Sequence, residues 1–353
     1  MNFTWNTRPE KERQSRGKET EDMKITVAGA GTWGTALGRV LALNGHNVCI
    51  WSRFQEETDA LSRTRRHPHL PGAVIPDSIV FTSDIAEAAK GAEHILMVVP
   101  SVHMRQTARD FAPYLEDCAI VTSAAKGIES STLMTLTEVI TDELQAAGRQ
   151  NVTVALSGPT HAEEVARDLP TLIVSASENL EAAEKVQKLF DGTCIRPYVN
   201  PDARGVQICG ALKNVEALAV GIARGLGYGD NTCAAMITRG MEEIRRLGIA
   251  MGCREKTFFG LAGIGDLIVT ATSQHSRNNR AGFLIGQGMP VEDAVREIGM
   301  VVEGMNALPA AIALCEKFGM DMPLISAVKA VVTDHARPSD VVRELMNRSL
   351  KME

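Results

Sequence analysis

Two lysines, one aspartate and an arginine-led polar stretch are the residues whose types and settings suit chemistry in this chain. Lys213 lies in Gly210-Ala-Leu-Lys213-Asn214-Val, within a run that is otherwise apolar or small for several helical turns. An amine on such a face is costly to bury without a partner. Burial also lowers its pKa toward neutrality, the range that suits a general acid or base. Hydride transfer to a ketone needs such a group, because negative charge grows on the carbonyl oxygen and a proton must follow. The competing reading is a lysine that runs along apolar surface to reach water.

Lys126 follows an apolar run in Ala-Ala-Lys126-Gly127-Ile-Glu. There it could hold an anionic substrate or a cofactor ribose, or be a plain loop lysine. Asp266, in Gly263-Ile-Gly265-Asp266-Leu-Ile-Val-Thr270, is a lone carboxylate between glycines and an apolar run. It is expected to be buried and paired, and could orient Lys213; a helix N-cap is the alternative. Ser276-Arg277-Asn278-Asn279-Arg280 opens a predicted helix after a polar loop. An arginine fork binds phosphate bidentately and a helix start adds N–H donors, so this is a candidate phosphomonoester site, or else a solvated helix start. His161, in Gly158-Pro-Thr160-His161, is read as structural and left out of the chemistry.

These residues need a scaffold, and its clearest mark is near the N-terminus. The apolar run 25–28 leads into Gly29-Ala-Gly31-Thr32-Trp33-Gly34, which opens an Ala/Leu-rich helix. Gly29 suits the tight turn, Gly31 the approach of a pyrophosphate, and Gly34 close packing of helix on strand. The helix N-terminus then presents free N–H groups and a positive dipole end to the phosphates. No acid stands at the tip of the next strand, which ends Trp51-Ser52-Arg53. An arginine there can pair with a 2′-phosphate, so NADP(H) is expected to be accepted alongside NAD(H), unless Arg53 is only a surface cation.

Further strands are predicted at 47–51, 93–99, 119–123, 152–156, 171–175 and 195–199, with helices between them at 85–89, 104–115 and 133–147. Alternating strands and helices imply a mostly parallel, Rossmann-like sheet, with ligands at the C-terminal ends of its strands. After 201 only helical patterns appear, at 206–223, 233–251, 279–286, 291–298, 305–318, 324–332 and 338–346. The expected organisation is therefore α/β: a dinucleotide-binding domain over 23–201 and an all-helical domain over 202–353, with a substrate cleft between them. Residues 1–22 are polar and of mixed charge, without the apolar stretch of a secretory signal, and read as a disordered extension.

The net charge of −6 argues against an electrostatic nucleic-acid binder, and no apolar run is long enough to suggest a membrane span. The seven cysteines are scattered, without CxxC or Cys–His metal spacing, which fits reduced thiols in a cytoplasmic protein and no metal site.

Taken in order, Gly29-Ala-Gly-Thr-Trp-Gly-Thr-Ala-Leu, Val98-Val-Pro-Ser, Ala125-Lys-Gly-Ile-Glu, Ser157-Gly-Pro-Thr, Ala211-Leu-Lys-Asn-Val, Gly265-Asp-Leu, Ser276-Arg-Asn-Asn-Arg and Val301-Val-Glu-Gly closely resemble bacterial-type NAD(P)-dependent glycerol-3-phosphate dehydrogenases. The resemblance runs from Met23 to about Met346. It implies reversible reduction of dihydroxyacetone phosphate to sn-glycerol 3-phosphate, feeding phospholipid synthesis. It implies that Lys213 is the proton donor and acceptor beside Lys126 and Asp266, and that Arg277 and Asn278 hold the substrate phosphate near Gly158, Thr160 and Ser276. It places Thr32, Trp33, Arg53, Lys126, Ala162, Arg277, Val301 and Glu303 at the cofactor. Two positions depart from the family pattern: Ala125, where Thr is common, and His161, where Phe is common.

A homodimer built on the helical half is expected. Other two-domain reductases, of the 3-hydroxyacid and 6-phosphogluconate type, share the lysine–asparagine pair, but Ser276-Arg277-Asn278 and Gly265-Asp266 favour the glycerol phosphate reading. A non-catalytic NADP(H) sensor is the rival from another class; convergence of Lys213, Asp266 and Arg277 on one cleft would argue against it.

Overall fold

The structure, a computed structural model, describes residues 22–349. The predicted N-terminal extension therefore lies, apart from Asp22, outside the described residues. Among the described residues eight strands form one sheet: β1 (Lys24–Ala28), β2 (Asn47–Trp51), β3 (Val80–Thr82), β4 (His94–Met97), β5 (Ile120–Ser123), β6 (Thr153–Ser157), β7 (Thr171–Ala176) and β8 (Ile195–Asn200). Their order is β3-β2-β1-β4-β5-β6-β7-β8, and every neighbouring pair is parallel except β6 with β7. The short β3 was not expected; half-exposed at the sheet edge, it carries little of the apolar patterning that marks the others.

Alternate residues of the central strands feed two cores. Ile25, Val27, Val48, Ile50 and Leu96 pack on one face with Leu37, Leu41 and Phe190. Ala28, Cys49, Trp51, Ile95 and Met97 pack on the other with Phe111 and Ile140. Burial on both faces explains the nearly unbroken apolar runs of these strands. The covering helices are α1 (Thr32–Leu43), α2 (Gln55–Thr64), α3 (Ile85–Ala89), α4 (Met104–Phe111), α5 (Leu136–Ala146), α6 (Ala162–Val165) and α7 (Leu180–Lys188). Two begin or end away from the predicted bounds for local reasons. α5 starts at Leu136 because Thr135 and Glu138 form a capping box. α4 tightens into a 3₁₀ turn over Ala112–Tyr114, around Pro113.

Beyond β8 the described chain is helical: α8 (Ala203–Gly225), α9 (Asp230–Ala250), α10 (Glu255–Phe258), α11 (Asp266–Thr272), α12 (Arg277–Gly286), α13 (Val291–Ile298), α14 (Glu303–Phe318), α15 (Pro323–Val332) and α16 (Pro338–Met346). α8 starts three residues earlier than its apolar pattern, at a cap in which Asp202 accepts from the Gly205 N–H at 2.9 Å. It is long and apolar enough by composition to cross a membrane, but it is buried within the protein, wrapped by α9, α11, α12 and α14. Its crossing with α12 brings backbones into contact. A Cβ on Gly221, Gly225, Gly282 or Gly286 would sit 2.2 Å from a carbonyl oxygen of the facing helix. This pair of small-residue ridges holds the start of α12 close against the helix that carries Lys213.

Candidate active site

Three charged side chains meet where the sheet and the helical half join. Lys213 Nζ lies 2.8 Å from Asp266 Oδ1, and Lys126 Nζ lies 2.7 Å from Asp266 Oδ2. Lys213 is 5% exposed and Asp266 1%. Lys213 therefore does not reach out to bulk water, and Asp266 is not a capping residue, since no side chain caps α11.

Local sequence explains each placement. Gly210, one turn before Lys213, leaves room for a neighbour: a Cβ there would be 3.0 Å from Ser157 Oγ and 3.4 Å from Lys126 Cγ. Lys126 thus crosses the face of α8 and donates to the Gly158 carbonyl at 2.9 Å and to Thr160 Oγ1 at 3.4 Å. Asp266 is aimed by a break in the chain. A π-helical turn over Leu261–Gly265 precedes it, in which Gly263 takes φ −93°, ψ −106°. A Cβ on Gly263 would lie 2.1 Å from the Phe258 carbonyl oxygen. One turn on, Thr270 Oγ1 bonds the Asp266 carbonyl at 2.7 Å and receives a hydrogen bond from Lys213. Thr270 was not singled out from sequence, although its spacing of four from Asp266 puts it on the same helical face.

The electrostatics follow from burial and charge. Desolvation lowers the Lys213 amine to about 7, against the pull of Asp266 in the other direction, while Lys126 pushes it further down. Burial raises Asp266, but the two ammonium groups outweigh it and hold the carboxyl below its ordinary value. The result is a fixed anion beside an amine poised to change protonation near neutrality.

The phosphate candidates lie at the start of α12. Ser276 Oγ caps the helix, accepting from the Asn279 N–H at 3.2 Å. Arg277 is exposed and donates to the Val301 carbonyl at 3.1 Å, leaving most of its fork free. Asn278 stands at the first turn of the same helix. It is buried, donates to Asn214 Oδ1 at 2.9 Å and accepts from the Gly304 N–H at 2.8 Å. Its side chain ties α12 to α8 and α14, so what it offers a phosphate is the backbone N–H of a first helical turn.

At the other end of the cleft the glycine turn fits a dinucleotide. Gly29 has φ +129°, and a Cβ on it would press 3.0 Å from the Val98 carbonyl group. A Cβ on Gly34 would lie 2.0 Å from the Gly29 carbonyl oxygen, whereas one on Gly31 would meet nothing within 4 Å. Open space at the middle glycine and close packing at the outer two is the arrangement a pyrophosphate needs. Thr32 Oγ1, on the first turn of α1, is buried without a hydrogen-bond partner among the described residues. Trp33 Nε1 donates to the Ala124 carbonyl at 3.2 Å, tying α1 to the loop that carries Lys126. Ala162 is the first residue of α6, which packs on α1.

Arg53 stands at the tip of β2, held by Asp110 of α4 at 2.9 Å. The structure does not bring it to the lysine cluster. Glu303 opens α14 and accepts from the Ser101 N–H at 3.2 Å and hydroxyl at 2.6 Å. This clasp between the helical half and the loop after β4 was missed from sequence, because two residues 202 positions apart carry no local signal of contact.

The chain is similar to known proteins along most of its length. Residues 24–183 match the model for the NAD-dependent glycerol-3-phosphate dehydrogenase N-terminus and 202–343 that for its C-terminus. A glycerol-3-phosphate dehydrogenase [NAD(P)+] of Lactobacillus delbrueckii subsp. bulgaricus is 57% identical over 332 residues, covering 94% of this chain and 98% of the relative. One from Agathobacter rectalis is 48% identical, with 94% and 97% covered. The crystal structure of glycerol-3-phosphate dehydrogenase from Coxiella burnetii superposes with a TM-score of 0.88 at 34% identity, covering 93% of this chain and 99% of that one.

Proposed function

The chain belongs to the NAD-dependent glycerol-3-phosphate dehydrogenase family, and from that premise we propose that Lys213 is its acid–base residue, Asp266 and Lys126 its electrostatic partners, and Arg277 its phosphate anchor. The protein is an NAD(P)-dependent oxidoreductase of glycerol 3-phosphate, an activity that belongs to lipid metabolism. In the direction of synthesis the substrate is dihydroxyacetone phosphate.

When bound, the reduced nicotinamide supplies the hydride. Lys213 does the rest of the chemistry at the substrate oxygen. Its ammonium stabilises the developing alkoxide and then gives it a proton; in the reverse direction the neutral amine takes the alcohol proton. Asp266 keeps the amine oriented and its charged form accessible in a dry setting. Lys126, bridging Asp266, Gly158 and Thr160, holds the substrate side of the site in place. Arg277, with the first-turn N–H groups of α12 and the Ser276 cap beside it, takes the phosphate. Binding energy from that remote group positions the carbonyl carbon, so it contributes to turnover as well as affinity.

Thr32, Trp33, the three glycines, Ala162, Val301 and Glu303 line the proposed cofactor path, with Arg53 at its adenosine end. The observation that carries this reading is the buried Lys213–Asp266–Lys126 cluster. The free thiols are in keeping with a cytoplasmic setting, and a homodimer is proposed as the assembly.

The test compares Arg277→Ala with wild type on dihydroxyacetone phosphate and on unphosphorylated dihydroxyacetone. The phosphorylated substrate is expected to lose kcat/KM by roughly 100-fold, the range of a charged hydrogen-bonded contact, and the unphosphorylated one by little. Equal losses on both would remove Arg277 from phosphate recognition.

A further inference from the structure

The second strand of a dinucleotide-binding sheet usually ends in an acid that accepts from the adenosine ribose hydroxyls. This chain has Trp51-Ser52-Arg53 there instead. The fold brings a carboxylate to that place by another route. Gly29 N–H donates to the Trp51 carbonyl at 2.9 Å, so the end of β2 lies against the glycine turn. The next side chain, Ser52, is 4% exposed, and its hydroxyl donates to Glu57 Oε2. We propose that Glu57, seated on Ser52, is the acceptor for the adenosine ribose hydroxyls and favours NADH over NADPH. The proposal rests on the function given above and deepens its cofactor assignment.

Both sides of the Ser52–Glu57 contact are held in place. Ser52 N–H donates to the carbonyl of Thr82, the last residue of β3, at 3.1 Å, and Ser52 Oγ accepts from the Phe54 N–H at 3.3 Å. Glu57 stands in the first turn of α2 and is half-buried. The contact engages one carboxylate oxygen and leaves Oε1 for another donor. His67, 7% exposed, adds a second tie between this carboxylate and the glycine turn. Burial and His69 lower the His67 pKa, while Glu57 and a hydrogen bond to the Ala30 backbone, between Gly29 and Gly31, raise it.

Arg53 turns outward from this arrangement. Its side chain is 56% exposed and is held by Asp110 of α4 at 2.9 Å. A carboxylate accepts from ribose hydroxyls and repels a 2′-phosphate, whereas a guanidinium attracts the phosphate. Glu57 and Arg53 therefore pull cofactor choice in opposite directions from the same end of β2, and one chain has a use for both dinucleotides. The local sequence hides the acid because it lies six residues beyond the strand, inside the next helix.

Glu57→Ala removes the acceptor, and Glu57→Gln removes only its charge. Affinities for NADH and NADPH are read from nucleotide fluorescence without the ketone, and kcat/KM for each with dihydroxyacetone phosphate. Glu57→Ala is expected to bind NADH roughly tenfold or more weakly, the range of a hydrogen bond to a charged group, without weakening NADPH. Glu57→Gln should lose less NADH affinity and gain some for NADPH. The sharper probe is NADH lacking the 2′-hydroxyl of its adenosine ribose. Wild type should bind it roughly tenfold more weakly than NADH, and Glu57→Ala should hold the two nearly alike. Ser52→Ala, which frees the carboxylate, should show a smaller loss of the same kind. Equal losses of NADH and NADPH, or discrimination against the deoxy analogue that survives Glu57→Ala, would overturn the assignment. So would unchanged NADH affinity, which would leave Glu57 serving only the dipole of α2. The wild-type comparison of NADH with its deoxy analogue needs no variant, and equal binding of the two would also refute the proposal. No turnover in the wild type would instead overturn the proposed function, and the binding measurements would still decide the role of Glu57.

Discussion

Replacing Asp266 by Asn removes a charge and keeps nearly the same shape, which makes it the sharpest probe of the lysine cluster. At 2.8 Å from Lys213, a full carboxylate charge is worth ~6 kcal/mol at an effective dielectric constant of about 20, an upper bound. Opposite charges at such range shift a pKa by about 1–3 units in practice, so a shift of about two units, or ~2.7 kcal/mol, is the working figure. Lys213 stands at about 7 with Asp266 present. Without it the amine should fall to about 5. At a pH of about 7.5 the ammonium population then drops from about a quarter to about 0.3%, and kcat for ketone reduction should fall roughly 75-fold. At a pH of about 5.5 the same variant should trail wild type by only about fourfold, because most of the missing protons are restored. Alcohol oxidation needs the neutral amine, so above neutrality it should lose far less than reduction does. The assay is the pH profile of kcat in both directions, with NADPH affinity and thermal unfolding as controls for folding. Equal deficits at both pH values and in both directions would refute the account, since they would show Asp266 acting by shape rather than by charge.

Other perturbations follow from the same structure. Gly282→Ala would place a Cβ 2.2 Å from the Leu218 carbonyl oxygen and force α12 away from α8. It should destabilise the protein by about 1–3 kcal/mol and raise KM for the phosphorylated ketone more than for NADPH; an unchanged Tm would contradict the close crossing. Arg53→Asp exchanges a weak surface ion pair for a charge that repels a 2′-phosphate, and should move the kcat/KM ratio toward NADH by roughly tenfold or more. An unmoved ratio assigns Arg53 to the surface.

Glu216 gives a pH dependence of stability. Among the described residues neither of its carboxyl oxygens has a hydrogen-bond partner, and burial, with Glu243 nearby, raises its pKa well above the ordinary value. Glu243 itself is raised to about 7, chiefly by burial. The folded state therefore binds more protons than the unfolded one, and stability should fall as pH rises from the unfolded carboxylate range, about 4.3, through these raised values. Glu216→Met should be more stable by about 1–3 kcal/mol at neutral pH and flatten that fall, as read from urea unfolding at about pH 5 and pH 8. A variant less stable than wild type at both pH values would exclude the argument.

The sheet and its glycine turn were legible because each depends on local pattern. Apolar runs of four to six residues, ended by Gly or Pro, mark strands buried on two faces, and Gly29, Gly31 and Gly34 act within a single turn. The site was legible only as a set of residues. The neighbours of Lys213 on α8 and the apolar setting of Asp266 marked both as candidates for a dry pair, but a snorkelling lysine and a capping aspartate fitted the same pattern, and the structure decides between them. What patterns along the chain do not carry is which helix face meets which. The α8–α12 crossing rests on two pairs of glycines spaced four apart, 61 positions between Gly221 and Gly282, and nothing local announces it. The same holds for the Asn278 side chain, which joins three helices, and for Glu303, which clasps Ser101.

This division has a physical consequence for the chemistry. Lys213 and Asp266 belong to the helical half and are held together by α8 and α11 alone, whereas Lys126 comes from the sheet half and reaches Asp266 across the junction. The charge that lowers Lys213 further is thus supplied by the other half of the molecule. Any loosening of the junction withdraws Lys126, raises the proton affinity of Lys213 and weakens the acid. The two halves must therefore be seated together for the amine to be tuned, and the Ser101–Glu303 clasp and the Trp33 bond to Ala124 are the contacts that keep the lysine loop where the tuning requires it.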